Sequence, residues 1–147
     1  MKQLLVCFLL LSISVQSQDY TEVDNKVRNY PTYTSANQLA AKIKADFNND
    51  GDKIRAVFVW LTENIRYDLQ EYFNPKTRRY SFKYKNEADK QTKLQAIKDA
   101  LVDETFKTRK SVCEGYAQSF KKVCDFANYT LMVFMTLYCF SSAFISY

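Results

Sequence analysis

Two glycines and two prolines among 147 residues leave a chain few places to turn sharply. That scarcity predicts long regular elements, helices above all, and argues against an all-β or loop-rich fold. The sequence is 47% hydrophobic and 25% charged, an ordinary globular mixture with enough chain for one domain and too little for two.

Hydrophobic spacing locates the helices. Ser35 is placed to cap a helix over 36–47, where Leu39, Ile43 and Phe47 share a face. The cluster Asn48-Asn49-Asp50-Gly51-Asp52 is a turn signal. It lacks the spaced acids and closing glutamate of a calcium loop, so it reads as a helix-capping turn and no metal site is expected. From Lys53 to Ile65, Ile54, Val57, Phe58, Leu61 and Ile65 form one apolar stripe with Trp60 beside it. A charged helix from Glu87 to about residue 105 carries Leu94, Ile97 and Leu101, and another after residue 112 carries Tyr116, Phe120, Val123 and Ala127. Between the middle helices, Tyr80, Phe82 and Tyr84 alternate with Ser81, Lys83 and Lys85, the pattern of a half-buried strand or a basic hairpin near 78–85. Residues 18–34, with Pro31 and scattered tyrosines, read as an extended lead-in.

Residues 1–17 read as a secretory signal: Lys2, an apolar run from Leu4 to Leu11, and a small-residue cleavage site ending Val15-Gln16-Ser17. An exported protein, periplasmic or extracellular, is therefore expected. Its removal takes one lysine and no acid from a formal charge of +5, leaving a mildly basic chain without the footprint of a nucleic-acid binder. Cys113, Cys124 and Cys139 remain, an odd number that leaves one thiol free or pairs it between chains.

Cys113 stands out. It falls at the predicted start of a helix, where unpaired backbone N–H groups and the helix dipole favour a thiolate and can hold a developing oxyanion. Gly115 follows two residues on, removing a side chain where another backbone or a substrate must come close. Cys124, on the apolar face, reads as core. The two cannot bond on one continuous helix, because about 16 Å of rise separates them and a disulfide needs Cα atoms within roughly 7 Å.

The stretch Val112-Cys113-Glu114-Gly115-Tyr116-Ala117 with Phe120 resembles the nucleophile helix of the transglutaminase-like family, relatives of the papain-type cysteine proteases and acyl transferases. Arg109 fits the same pattern, and Ser111 stands where a glycine is commoner. Trp60 and Asn64-Ile65-Arg66-Tyr67-Asp68 resemble the helix that precedes it in exported bacterial members. The resemblance covers about residues 36–128. It implies an α+β papain/transglutaminase-like fold, of which 35–130 would be the helical N-terminal part. It also implies Cys113 as a nucleophile attacking glutamine amides or peptide carbonyls of a protein or peptide substrate, with no cofactor.

The family's histidine and aspartate would follow the cysteine, and the sequence has no histidine at all. As it stands the chain is expected to be truncated and inactive, since a nucleophile without its base loses several orders of magnitude in rate. Residues 131–147, uncharged and glycine-free, read in three ways: a buried strand, a membrane-contacting segment over 127–147, or the product of a shifted reading frame. The competing functional reading is a non-catalytic module, secreted or membrane-tethered, that binds a partner through its helical core and basic-aromatic segment.

Overall fold

The computed structural model describes residues 19–75 and 82–127; the expected signal segment and the apolar tail beyond residue 127 lie outside them. The described chain forms α1 (Thr21–Arg28), α2 (Ala36–Asp46), α3 (Asp50–Asn64), β1 (Arg66–Tyr67), α4 (Leu69–Phe73), α5 (Glu87–Thr108), β2 (Lys110–Ser111) and α6 (Cys113–Phe126). It is mostly helical, with one two-stranded parallel pair, as a partial α+β domain of the expected class requires.

Short polar side chains start most of the helices. Ser35, Asn49, Asp68 and Asn86 each accept a hydrogen bond from the backbone N–H three residues on. Asn49 does so with the N–H of Asp52 at 2.8 Å, so the Asn-Asp-Gly cluster opens α3 as a capping turn. Helix α6 differs: its cap is Val112, in extended backbone and without a side-chain hydrogen bond.

The core gathers one face of each long helix. Leu39 and Ile43 from α2, Val57 and Trp60 from α3, Phe106 from α5 and Val123 and Cys124 from α6 are almost wholly inaccessible. Trp60 lies at its centre, stacked on Phe106 with ring centroids 5.5 Å apart. Its indole N–H donates to the Pro31 carbonyl at 3.3 Å, which draws the segment before α2 onto the bundle.

Three expectations are corrected. The lead-in is not extended throughout, since 21–28 is helix α1. Val23 and Val27, one turn apart, bury against α3, and acids in its first turn with bases in its last suit the helix dipole. Phe58 is not core but 50% exposed, because α3 turns Ala56, Val57, Val59 and Trp60 into the bundle. Along α5 the buried residues are Val102, Thr105 and Phe106 rather than Leu94, Ile97 and Leu101, because only its C-terminal half lies deep against the other helices. Of the expected hairpin, residues 76–81 lie outside the described chain and 82–84 have no strand. There the backbone serves the next helix instead, the Lys85 N–H donating to Asp89 at 2.9 Å.

Candidate active site

Cys113 is the first residue of α6, and its side chain is exposed and free. The N–H groups of a first helical turn have no partner within the helix, and that of Cys113 points towards the hydroxyl of Tyr67. Partial burial and the charge of an ionised Cys113 or Tyr72 push the Tyr67 hydroxyl up, against that hydrogen bond. Cys124, one residue type and eleven positions away, has the opposite setting: it is buried and free, and burial raises its thiol to about 12.

Two segments far apart in sequence deliver the cysteine. Strands β1 and β2 run parallel with Arg66 opposite Lys110 and Tyr67 opposite Ser111. The N–H of Arg66 donates to the Arg109 carbonyl and that of Asp68 to the Ser111 carbonyl, both at 2.9 Å. This pairing fixes the two residues before Val112 and sets Tyr67 beside the start of α6. Tyr116 completes the arrangement. Its hydroxyl donates to the Ile65 carbonyl, and its ring stacks on Tyr67 with centroids 6.4 Å apart.

Arg109 ties the same junction from behind. Its backbone is left-handed, φ 59°, which ends α5 and turns the chain into β2. Its guanidinium donates to the carbonyls of Tyr33 at 2.9 Å and Phe106 at 3.2 Å and to the Asn64 side chain at 3.4 Å. It also lies over the Trp60 ring, 5.6 Å from the centroid. Trp60, Asn64 and Arg109, read in the sequence as separate pieces of a pattern, are thus one structural unit behind the cysteine.

In front of Cys113 runs an open apolar groove of about 840 Å³. Ile54, Phe58 and Leu61 of α3 form one wall, and Tyr116, Ala117 and Phe120 of α6 the other. An exposed thiol at a helix start, beside an apolar groove and next to a phenol, is suited to covalent attack on an electrophile. Sequence reasoning placed Cys113 correctly at the helix start but gave Tyr67 no role. The signal available was its place in the Asn64–Asp68 segment, and only the parallel pairing shows what it faces.

A family model described as a transglutaminase-like domain matches residues 34–142, most of the chain and part of the apolar tail. Kyphoscoliosis peptidase from Homo sapiens is 22% identical over 123 residues, covering 84% of this chain and 16% of that protein. Kyphoscoliosis peptidase from Mus musculus is 22% identical over 118 residues, 80% of this chain and 15% of that protein. The chain thus spans about a sixth of the length of the curated relatives it matches. No solved structure matches it.

Proposed function

We propose, from the premise that the chain belongs to the transglutaminase-like domain family, that Cys113 is the nucleophile position of a cysteine-dependent acyl-transfer domain. The single observation that carries this reading is the exposed Cys113 thiol at the first position of α6, beside the groove. In a complete site the thiolate adds to the carbonyl carbon of a glutamine amide or peptide bond. The carbonyl electrons move to oxygen, where first-turn N–H groups of α6 can meet the charge. Collapse expels ammonia or an amine, which takes a proton from the general acid, and leaves a thioester on Cys113. An amine or water then accepts the acyl group and the thiol is regenerated. The relatives are named as peptidases, which supports water as the acceptor. No step calls for a cofactor.

These 147 residues contain no histidine, so the proton transfers have no imidazole to carry them. We therefore expect the chain by itself to be inactive or nearly so. The export reading rests on the charged and apolar pattern of residues 1–17, which would place the domain in a periplasmic or extracellular setting with protein or peptide substrates.

A second reading, a non-catalytic interaction module, is favoured by one observation. Tyr67, Leu69, Tyr72 and Phe73 are all more than two-fifths exposed; Tyr67 lines the groove, Tyr72 packs on Tyr67 and Phe73 on Tyr72. The test is amine incorporation into a glutamine-containing protein and hydrolysis of the same protein, by the full chain and by Cys113→Ala. The acyl-transfer reading expects Cys113 to form a stoichiometric adduct with an acyl-donor thioester, with turnover at the level of Cys113→Ala. An inert Cys113 in a folded protein would leave the interaction module as the better account.

A further inference from the structure

Tyr67 stands beside the cysteine without a task in the acyl-transfer scheme. The β1–β2 pairing sets it opposite Ser111, two residues before Cys113, and the Asp68 N–H bonded to the Ser111 carbonyl at 2.9 Å holds that register. Its ring stacks on Tyr116 with centroids 6.4 Å apart and packs on Tyr72 at 5.9 Å, so neighbouring rings aim the phenol. It lines the groove together with Cys113 and is 43% exposed, within reach of a group that enters there.

The two neighbouring hydroxyls differ. That of Tyr116 is engaged by the Ile65 carbonyl. Among the described residues no acceptor takes the O–H of Tyr67, while its oxygen faces the N–H of Cys113. Desolvation first, and then the charge of an ionised Cys113, push this hydroxyl up from its ordinary value, so at neutral pH it keeps its proton and stays a donor.

We propose that Tyr67 is a catalytic residue: its hydroxyl donates to the oxyanion formed when the Cys113 thiolate adds to a carbonyl carbon, and with the Cys113 N–H it makes a two-donor oxyanion hole. The proposal rests on the acyl-transfer reading of Cys113. The oxyanion's carbon is bonded to the Cys113 sulfur, which brings the oxygen close to that residue's own N–H. An oxygen drawn to this N–H arrives beside the phenol that already faces it, and the free O–H turns to meet it. Because stacking and strand pairing set the phenol in place beforehand, the donor needs little reorganisation as charge develops.

The test is acetylation of the full chain by p-nitrophenyl acetate, read at Cys113 by peptide mapping, beside alkylation of the same thiol by iodoacetamide. Acetylation makes the C–S bond, passes through the oxyanion and breaks the ester C–O bond. The p-nitrophenolate leaves with the electron pair and needs no general acid, and the thiol proton goes to buffer. Alkylation displaces iodide at a saturated carbon and builds no oxyanion, yet it draws on the same thiolate. The ratio of the two rates therefore isolates the oxyanion from any change in the thiol itself, and a merely structural role would move both rates together.

Tyr67→Phe keeps the stacked ring and should lower the ratio by about tenfold or more, the direction and order expected for a lost oxyanion donor. Should that variant fail to fold, Tyr67→Leu also lacks a donor and is read in the same way. A smaller fall overturns the proposal, and where Cys113 of the unaltered protein is acetylated faster folded than in urea, it leaves the acyl-transfer reading standing. Acetylation of the unaltered protein no faster folded than in urea overturns both.

Discussion

A Cβ placed on Gly115 would lie 1.7 Å from the Ser111 hydroxyl oxygen and 2.8 Å from that of Thr105. These two hydroxyls are buried and hydrogen-bonded to each other at 3.2 Å. Glycine two residues after Cys113 is therefore what lets α6 start against β2 and the end of α5.

Gly115→Ala should destabilise the protein by about 1–3 kcal/mol, the usual range for overpacking, despite the better helix propensity of alanine. Urea unfolding measures it. Adding Ser111→Gly removes the closest clash and should recover about half of the loss, a coupling that independent sites do not show. Additive losses in the double variant would mean that Gly115 matters for another reason.

Arg109 combines a strained backbone with a multiply bonded side chain. Arg109→Ala loses the bonds to Tyr33, Phe106 and Asn64 and keeps the left-handed φ, and should cost about 2–4 kcal/mol. Arg109→Gly loses the same contacts but relieves the backbone, so it should be more stable than the alanine variant by about 1 kcal/mol. Thermal or urea denaturation of the pair separates the two contributions. Equal stabilities would show that the backbone conformation stores nothing.

What was legible in the sequence was local. The cap at residue 35, the capping turn over 48–52, apolar spacing, and a cysteine opening a helix all act within a few residues, and each reads directly from its neighbours. Helix α1 was missed because eight polar-rich residues carry only two buried valines, and its stability comes from packing on α3. The Trp60–Asn64–Arg109 unit and the Tyr67–Cys113 contact join residues more than forty positions apart, and no spacing rule reaches that far. Phe58 was misplaced for an instructive reason: periodicity reports that a face is apolar, not which partner covers it.

Acid should destabilise the fold through its paired aspartates. The Arg55 side chain donates to Asp24 at 2.8 and 2.6 Å and holds its carboxyl below the ordinary value. Lys122 does the same for Asp99. Burial works against Asp46, but bonds from Tyr30 and Lys42 outweigh it and leave that carboxyl lowered too. A carboxyl lowered in the folded state binds fewer protons than in the unfolded chain, so its contribution is present above about pH 4 and is lost as pH falls through the folded value. The urea midpoint should drop between about pH 5 and pH 2, and Asp24→Asn should flatten the slope.

Alkali acts through Cys124. Its thiol is raised to about 12 by burial, against about 8.5 in an unfolded chain. The unfolded state therefore loses its proton first, and this residue's contribution to stability, complete below about pH 8.5, declines as pH rises towards the folded value. Cys124→Ala should remove that part of the alkaline slope. The same burial means that Cys124 should take up a thiol reagent only on unfolding, which peptide mapping after native labelling will show.

The most direct test of the account compares the rate of Cys113 alkylation by iodoacetamide in the folded protein with its rate in urea at the same neutral pH. If the start of α6 builds a nucleophile, folding accelerates the reaction, by about tenfold or more. A folded-state rate equal to or below that of the unfolded chain would contradict it, and Cys113 would then be only a surface thiol.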